Sequence, residues 1–297
     1  MSNSTERLIQ RLKTLGDLTR LRLLALCRQG ECSVSELTRV IGQSQPRISQ
    51  QLKVLCDAGL LRRFRDGKRV FYRVPAKDAG SSDLGGLYDL IPRDDPTILE
   101  DLKRLRDHRG EGVSEFGLEP ITDANDRAIH KALVELTVAT PVGDLLDVGC
   151  GRGSVLKLLA SRAGRAVGVD IDEHARRLAR AELMLAGLPN CSLRQGNMYR
   201  LPFDDEEFNT IILDDVLAEA DEPVRALLES RRLLKPGGRL LILQSVSEMT
   251  AARIQQSMAD WSAEAKLRMA SPHLVPTRNP KWILSVATAA ESQDAVA

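Results

Sequence analysis

Aromatic side chains are scarce in this chain, with five Phe, three Tyr and two Trp among 297 residues, which leaves little material for an aromatic-lined substrate box. No apolar run approaches the roughly 20 residues that a membrane span needs. The N-terminus MSNSTERLIQ also lacks the basic-then-apolar pattern of an export signal. Both absences point to a cytoplasmic protein with no membrane partner. The five cysteines (Cys27, Cys32, Cys56, Cys150 and Cys191) are an odd, scattered set without CxxC spacing, which fits reduced thiols better than a disulfide framework.

Net charge is almost absent, at +1, but the balance hides a split. Residues 1–80 hold 16 Lys and Arg against 7 Asp and Glu, a net +9, and the remainder holds 26 against 34, a net −8. Such asymmetry is the footprint of a nucleic-acid module joined to a domain with another job; clustered surface charge is the plainer alternative. At this length two domains are expected.

The basic part opens with helical patterns. Leu8, Leu12 and Leu15 share a face, Gly16 breaks the run, Asp17 offers an N-cap, and Leu18, Leu21, Leu24 and Ala25 resume the period. Residues 35–42 form a further helix with Leu37, Val40 and Ile41 buried and Gly42 ending it. The helix over 44–59 is the informative one. Ile48, Leu52 and Leu55 at i, i+4, i+7 face a core, which leaves Gln45, Arg47, Ser49, Gln50 and Lys53 outside. Gln and Arg suit bidentate contacts with base edges, and Ser and Lys suit phosphates, although any surface helix can carry such residues.

Residues 60–74 then alternate around Asp66-Gly67, a strong hairpin signal, and carry Arg62, Arg63, Arg65, Lys68, Arg69 and Arg73. A basic two-stranded wing beside such a helix predicts a winged helix-turn-helix on a double-stranded DNA operator, with Arg65, Lys68 and Arg69 on phosphates. Residues 7–74 resemble the ArsR/SmtB family of bacterial repressors, through residues 15–24 (LGDLTRLRLL), 47–55 (RISQQLKVL), 58–60 (AGL) and Asp66-Gly67. Many members sense metals through thiolates in a stretch equivalent to residues 31–37. Here Ser33 and Ser35 stand in those places, a hydroxyl does not replace a soft thiolate, and His108 has no neighbouring histidine. No metal is therefore expected, and Cys27 and Cys32 read as buried structural residues.

Residues 75–86, rich in Gly, Ser and Asp, read as a flexible joint, and residues 109–125 as a second loose segment; helical patterns cover 87–91, 98–105 and 128–138. By the family resemblance, helices near 87–105 and at the N-terminus pair two subunits, which implies a homodimer on two half-sites. The expected division is a winged helix-turn-helix over 1–78, a helical linker and dimerisation region over 79–127, and a ligand-binding domain over 128–297.

From Leu145 onward strands (145–149, 166–170, 192–196, 210–214, 239–244) alternate with helices (173–186, 223–234), the pattern of a doubly wound α/β sheet with its ligand at the carboxyl ends of the strands. Residues 281–287 read as a hairpin strand. The first strand leads into Gly149-Cys150-Gly151-Arg152-Gly153, preceded by Asp147. A dinucleotide fingerprint needs its third glycine where Ser154 stands, so a nicotinamide oxidoreductase is disfavoured. A phosphate-free ligand with an ammonium and a sulfonium suits a carboxylate beside close-approaching backbone. Asp170, ending the second strand 19 residues beyond Gly151, can take both ribose hydroxyls.

With residues 196–198 (GNM), 201–203 (LPF), 208–214 (FNTIILD) and 233–243 (LLKPGGRLLIL) at their spacing, residues 128–288 resemble class I S-adenosylmethionine-dependent methyltransferases, a Rossmann-like fold. The resemblance implies that Asp147, Gly149, Gly151 and Gly153 hold the methionine portion of S-adenosylmethionine or S-adenosylhomocysteine. It puts Asp170 with Ile171 on the ribose side, Asn197 and Met198 on adenine, and Asp214 facing the sulfonium. No catalytic residue is identified, since methyl transfer needs mainly alignment. The segment after the fourth strand lacks histidine, and two cysteines in this domain are too few for arsenic methylation. Two functions follow: a transcription factor using the methyltransferase fold as a sensor, or a working methyltransferase on a small molecule with the winged helix for autoregulation.

Overall fold

A computed structural model of the chain describes residues 4–75, 82–92, 94–114, 124–247 and 249–290. It divides into two compact units: unit 1 is Met1–Leu118 together with Arg177–Ser192, and unit 2 is Glu119–Arg176 and Leu193–Ala297.

Unit 1 runs α1 (Ser4–Leu15), α2 (Leu18–Arg28), β1 (Cys32–Ser33), α3 (Val34–Ile41), α4 (Gln45–Asp57), β2 (Arg62–Asp66), β3 (Arg69–Arg73), α5 (Ser82–Asp89) and α6 (Pro96–Ser114). The helix ends follow local chemistry. Asp17 accepts from the backbone N–H of Arg20 at the start of α2, and Ser33 forms a reciprocal capping box with Glu36 on α3, each worth about 1 kcal/mol. Gly42 closes α3 at φ 73°, where a side chain would be strained. Leu23, Leu24, Leu26, Leu37, Ile48, Leu52, Leu55 and Leu60 are fully buried, at about 1.5–3 kcal/mol of hydrophobic stabilisation each. The three strands order as β1-β3-β2, the helix-turn-helix with its wing.

Three local expectations shift. Asp66 pairs with Arg69, so the wing's two-residue turn is Gly67-Lys68 and Asp66 is the last residue of its strand. Within the expected joint over 75–86, α5 already begins at Ser82; residues 76–81 lie outside the described residues. Within the expected loose segment over 109–125, α6 continues to Ser114, and residues 115–123 lie outside the described residues. Glycines at 110 and 112 cost a helix about 1 kcal/mol each. Their neighbour Arg109 offsets that cost, with its guanidinium buried on Glu36 Oε1 at 2.7 Å and on the Glu31 carbonyl at 2.6 Å.

Unit 2 continues with α7 (Ala124–Ala139), β4 (Gly143–Val148), α8 (Ser154–Leu159), β5 (Ala163–Asp170), the start of α9 (Glu173–Leu185), most of β6 (Cys191–Gln195), β7 (Phe208–Asp214), α10 (Pro223–Leu233), β8 (Leu234–Ser245), α11 (Ala251–Glu264), β9 (Leu267–Met269), β10 (His273–Val275) and β11 (Trp282–Ala289). The sheet order is β10-β11-β8-β7-β4-β5-β6, with β9 on β11. Strands β4, β5, β7 and β8 run parallel, and β11 returns antiparallel against β8. The expected doubly wound sheet is present. Its central strands are buried on both faces, Leu146, Val148, Ile211, Leu213, Leu240 and Ile242 on one and Leu145, Ile212, Leu241 and Leu243 on the other, hence their near-continuous apolar sequences. Strand β4 lies between β5 and β7, so the order reverses at β4 and opens the crevice where such sheets bind ligands.

Candidate functional site

The periodicity of α4 turns its polar residues outward. Ile48, Leu52 and Leu55 are buried, Gln45, Arg47, Gln50 and Lys53 are exposed, and Ser49 is half-buried. On the wing Arg65, Lys68 and Arg69 are exposed, and Phe64 stacks on Phe71 across the two strands at 5.8 Å between ring centroids. A groove of about 570 Å³ between α4 and the wing brings Gln45, Ser49 and Lys53 together with Arg63 and Tyr72. Arg47, Gln50, Lys68 and Arg69 do not line it. Arg63 was legible only as one of several basic wing residues; it pairs with Tyr72 across the hairpin, and both line the groove. Such a face can neutralise phosphates and offer bidentate side chains to base edges.

In the stretch 31–37, Ser33 is engaged in capping α3, and Cys27 and Cys32 are buried. A hydrogen bond with Cys32, followed by burial, pushes the Cys27 thiol well above its ordinary range, so it is neither a ready nucleophile nor a ready ligand. A cation already occupies this corner, the guanidinium of Arg109. Among the described residues no cluster of three or more His, Cys, Asp or Glu is arranged to hold a metal ion.

At the carboxyl end of β4 the chain makes the tight loop that three glycines permit. Gly149, Gly151 and Gly153 have φ of 74°, 49° and 78°, values at which a side chain would be strained. A Cβ on Gly149 would also lie 2.3 Å from Val216. The loop is pinned to β5: the N–H groups of Gly149 and Cys150 donate to the Val169 carbonyl at 2.7 and 3.0 Å, and Gly151 N–H donates to Asp170 Oδ2 at 2.8 Å. Asp170 Oδ1 accepts from Asp172 N–H at 2.8 Å. Each carboxylate oxygen keeps acceptor capacity for a ribose hydroxyl.

Asp147 sits beneath this loop, 1% exposed, and its Oδ1 has no hydrogen-bond partner. Burial, reinforced by the charges of Asp214 and Asp170, pushes its carboxyl well above the usual range. A buried carboxyl oxygen without a donor costs about 1–3 kcal/mol, and an ammonium group is a ligand that would relieve it. The loop therefore fits the amino-acid end of an adenosyl ligand on its own chemistry. Beyond β6, Asn197 Oδ1 accepts from Tyr199 N–H at 3.0 Å, so its amide nitrogen is the group left for an adenine acceptor. Met198 is half-buried and Ile171 is 68% exposed. Asp214, half-buried, ends β7. Its neighbour Asp215 has φ 55° and binds back to the N–H and hydroxyl of Ser245 at 2.9 and 2.8 Å, so Asp215 braces the end of β8. Val216 was missed by the sequence reading, because its role is steric: it forces glycine at 149.

Comparison with known proteins agrees with this division. The family model for the bacterial regulatory protein, arsR family, matches residues 17–63, and that for a methyltransferase domain matches residues 146–242. The chain thus carries an ArsR-type helix-turn-helix and a methyltransferase domain. Among curated proteins, an uncharacterized 37.1 kDa protein in transposon TN4556 of Streptomyces fradiae is 35% identical over 124 residues, 41% of this chain and 35% of its own length. A demethylmenaquinone methyltransferase of Symbiobacterium thermophilum is 32% identical over 120 residues, 39% of this chain and 48% of its own. The chain therefore spans less than half the length of these relatives. Two solved structures share the fold. The N-methyltransferase NodS of Bradyrhizobium japonicum, in complex with S-adenosyl-L-homocysteine, covers 63% of this chain and 98% of its own at 18% identity and TM-score 0.51. The [4+2]-cyclase SpnF covers 56% and 82% at 18% identity and TM-score 0.50. One fold under two such names leaves the reaction to the site.

Proposed function

We propose that the protein is a DNA-binding transcriptional regulator, acting in the cytoplasm, whose methyltransferase-fold domain takes S-adenosylmethionine or S-adenosylhomocysteine as a sensed ligand. The observation that carries this reading is the coexistence in one chain of an outward-facing recognition helix with its basic wing and a glycine loop built over the unpartnered Asp147 oxygen. Gln45, Arg47, Ser49, Gln50, Lys53, Arg65, Lys68 and Arg69 meet DNA. Asp147, Gly149, Gly151 and Gly153 hold the amino-acid end of the ligand, Asp170 and Ile171 the ribose side, Asn197 and Met198 the adenine, and Asp214 faces the sulfur. The division is 1–78 for DNA binding, 79–127 for linkage and dimerisation, and 128–297 for the ligand.

The ligand acts only through unequal affinity for the DNA-competent and incompetent states, and a tenfold change in DNA affinity requires a tenfold difference, about 1.4 kcal/mol. Fluorescence anisotropy on a duplex from the gene's own upstream region, with and without each adenosyl ligand, is the test. We expect at least a fivefold change in Kd with one of them; identical curves for all three conditions defeat the sensor reading. The alternative, a working methyltransferase on a small molecule with the winged helix for autoregulation, is favoured by Asp214 at the end of β7 and would be established by turnover of a labelled methyl group.

The regulator is a homodimer in this reading. Supporting this, α1 leaves Leu8, Ile9 and Leu12 at 44–46% exposure and α6 leaves Leu99 at 48%, an apolar surface that a second copy would cover. Sedimentation should give a dimer, and the pair Leu8→Glu and Leu12→Glu should give a monomer with at least tenfold weaker operator binding. A wild-type monomer on DNA would rule the dimer out.

A further inference from the structure

Unit 1 includes residues that come late in the chain, Arg177–Ser192, and one of them reaches the wing. Arg180 lies on α9. Its Nη2 donates to Asp66 Oδ2 at 2.7 Å and its Nε to Glu31 Oε2 at 3.1 Å, and its guanidinium carbon lies 4.0 Å from the centroid of the Phe71 ring. The side chain is 10% exposed and each carboxylate 2%.

These three contacts cover the wing's whole framework. Asp66 ends β2 just before the Gly67-Lys68 turn, Phe71 is on β3, and Glu31 immediately precedes β1, which pairs with β3. One planar guanidinium thus fixes all three strands relative to one another, a task for which lysine's single ammonium has neither the fork nor the flat face. Asp66 is the surprise for a hairpin turn residue, since such residues ordinarily face water. Here its carboxylate is turned inward onto Arg180.

We propose, resting on the DNA-binding reading above, that Arg180 is the positioning residue of the DNA-binding wing. Arg180 holds the strands from which Lys68 and Arg69 reach phosphates; without it the hairpin loses its fixed angle to α4, and those charges stop contributing to binding. The clamp is built from buried charges, so removing one partner costs more than removing all three together.

The test uses the full-length chain on its own upstream duplex across a series of salt concentrations, in wild type, Arg180→Ala, Arg180→Lys and the neutral triple variant Glu31→Gln/Asp66→Asn/Arg180→Met. We expect Kd to rise tenfold or more in Arg180→Ala and in the triple variant. The slope of log K against log salt should fall by about two, one for each lost phosphate contact. Arg180→Lys should be intermediate, and the Kd for S-adenosylhomocysteine by calorimetry should stay within twofold of wild type. The triple variant, which removes the clamp's charges together, answers the question if Arg180→Ala fails to fold. Wild-type affinity and slope in the triple variant would overturn the positioning role. If wild type does not bind the duplex while amide hydrogen exchange in β2 and β3 rises in the variants, the DNA-binding reading falls and the wing clamp remains.

Discussion

Asp170→Ala is expected to weaken S-adenosylhomocysteine binding at least a hundredfold while leaving the fold of unit 1 intact. Two losses combine. The ribose hydroxyls lose their charged acceptor, and charged hydrogen bonds contribute about 1.5–3 kcal/mol each. The glycine loop also loses its tether, since Gly151 N–H and Asp172 N–H both donate to this carboxylate at 2.8 Å. The released loop then has to be reordered by the ligand, at about 1–2 kcal/mol per backbone residue fixed. Asp170→Asn retains one acceptor oxygen and should fall between the two. Calorimetry with S-adenosylhomocysteine reads the effect directly, and a Kd within threefold of wild type would remove Asp170 from the site.

Arg109→Ala carries the largest expected effect on stability, on the order of 3–5 kcal/mol, because it strips the counter-charge from a buried carboxylate. Burial alone would raise the Glu36 carboxyl, but the charge and hydrogen bond of Arg109, with the Ser33 contacts, outweigh it and hold Glu36 down from 4.5 to about 2. A folded-state value below the unfolded one means that this pair stabilises unit 1 in full above about pH 4.5 and loses that contribution as pH falls toward 2. In Arg109→Ala burial is opposed only by the Ser33 contacts, so the acid-dependent loss should begin at a higher pH than in wild type. Both tryptophans, Trp261 and Trp282, belong to unit 2, so amide hydrogen exchange within unit 1 is the appropriate measurement. Unchanged protection at Leu37 and Val40 in Arg109→Ala at neutral pH would contradict the assignment. Pairing the change with Glu36→Gln should recover much of the loss.

Both arginines explain where sequence reading stopped. The amphipathic period of α4, the apolar strand cores and the three glycines are local signals, each written within a dozen residues, and they suffice to place α4, the sheet and the glycine loop. Arg109 meets Glu36 across 73 residues and Arg180 meets Asp66 across 114. No periodicity links such partners, and from composition alone each is one more basic residue on a helix. The misplaced hairpin turn has the same source: Asp-Gly is a sound turn signal, and only the distant Arg180 explains why Asp66 stays in its strand. The loose segment over 109–125 was read from its glycines, whose helix-breaking cost is overridden at 110 and 112 by the buried grip of Arg109. Strands β9 and β10, three residues each, are too short to show an alternation.

The placement of Arg177–Ser192 with unit 1 also bears on how the protein is made. Translation delivers the helix-turn-helix and wing first, yet Arg180 is polymerised roughly sixty residues after Leu118, a delay of about 3–12 s at bacterial elongation rates of about 5–20 residues per second. During that interval Glu31 and Asp66 are already present without the cation that joins them. The nascent chain therefore emerges with an unfinished wing, and it acquires the finished one only after the strand bearing Asp170 has left the ribosome.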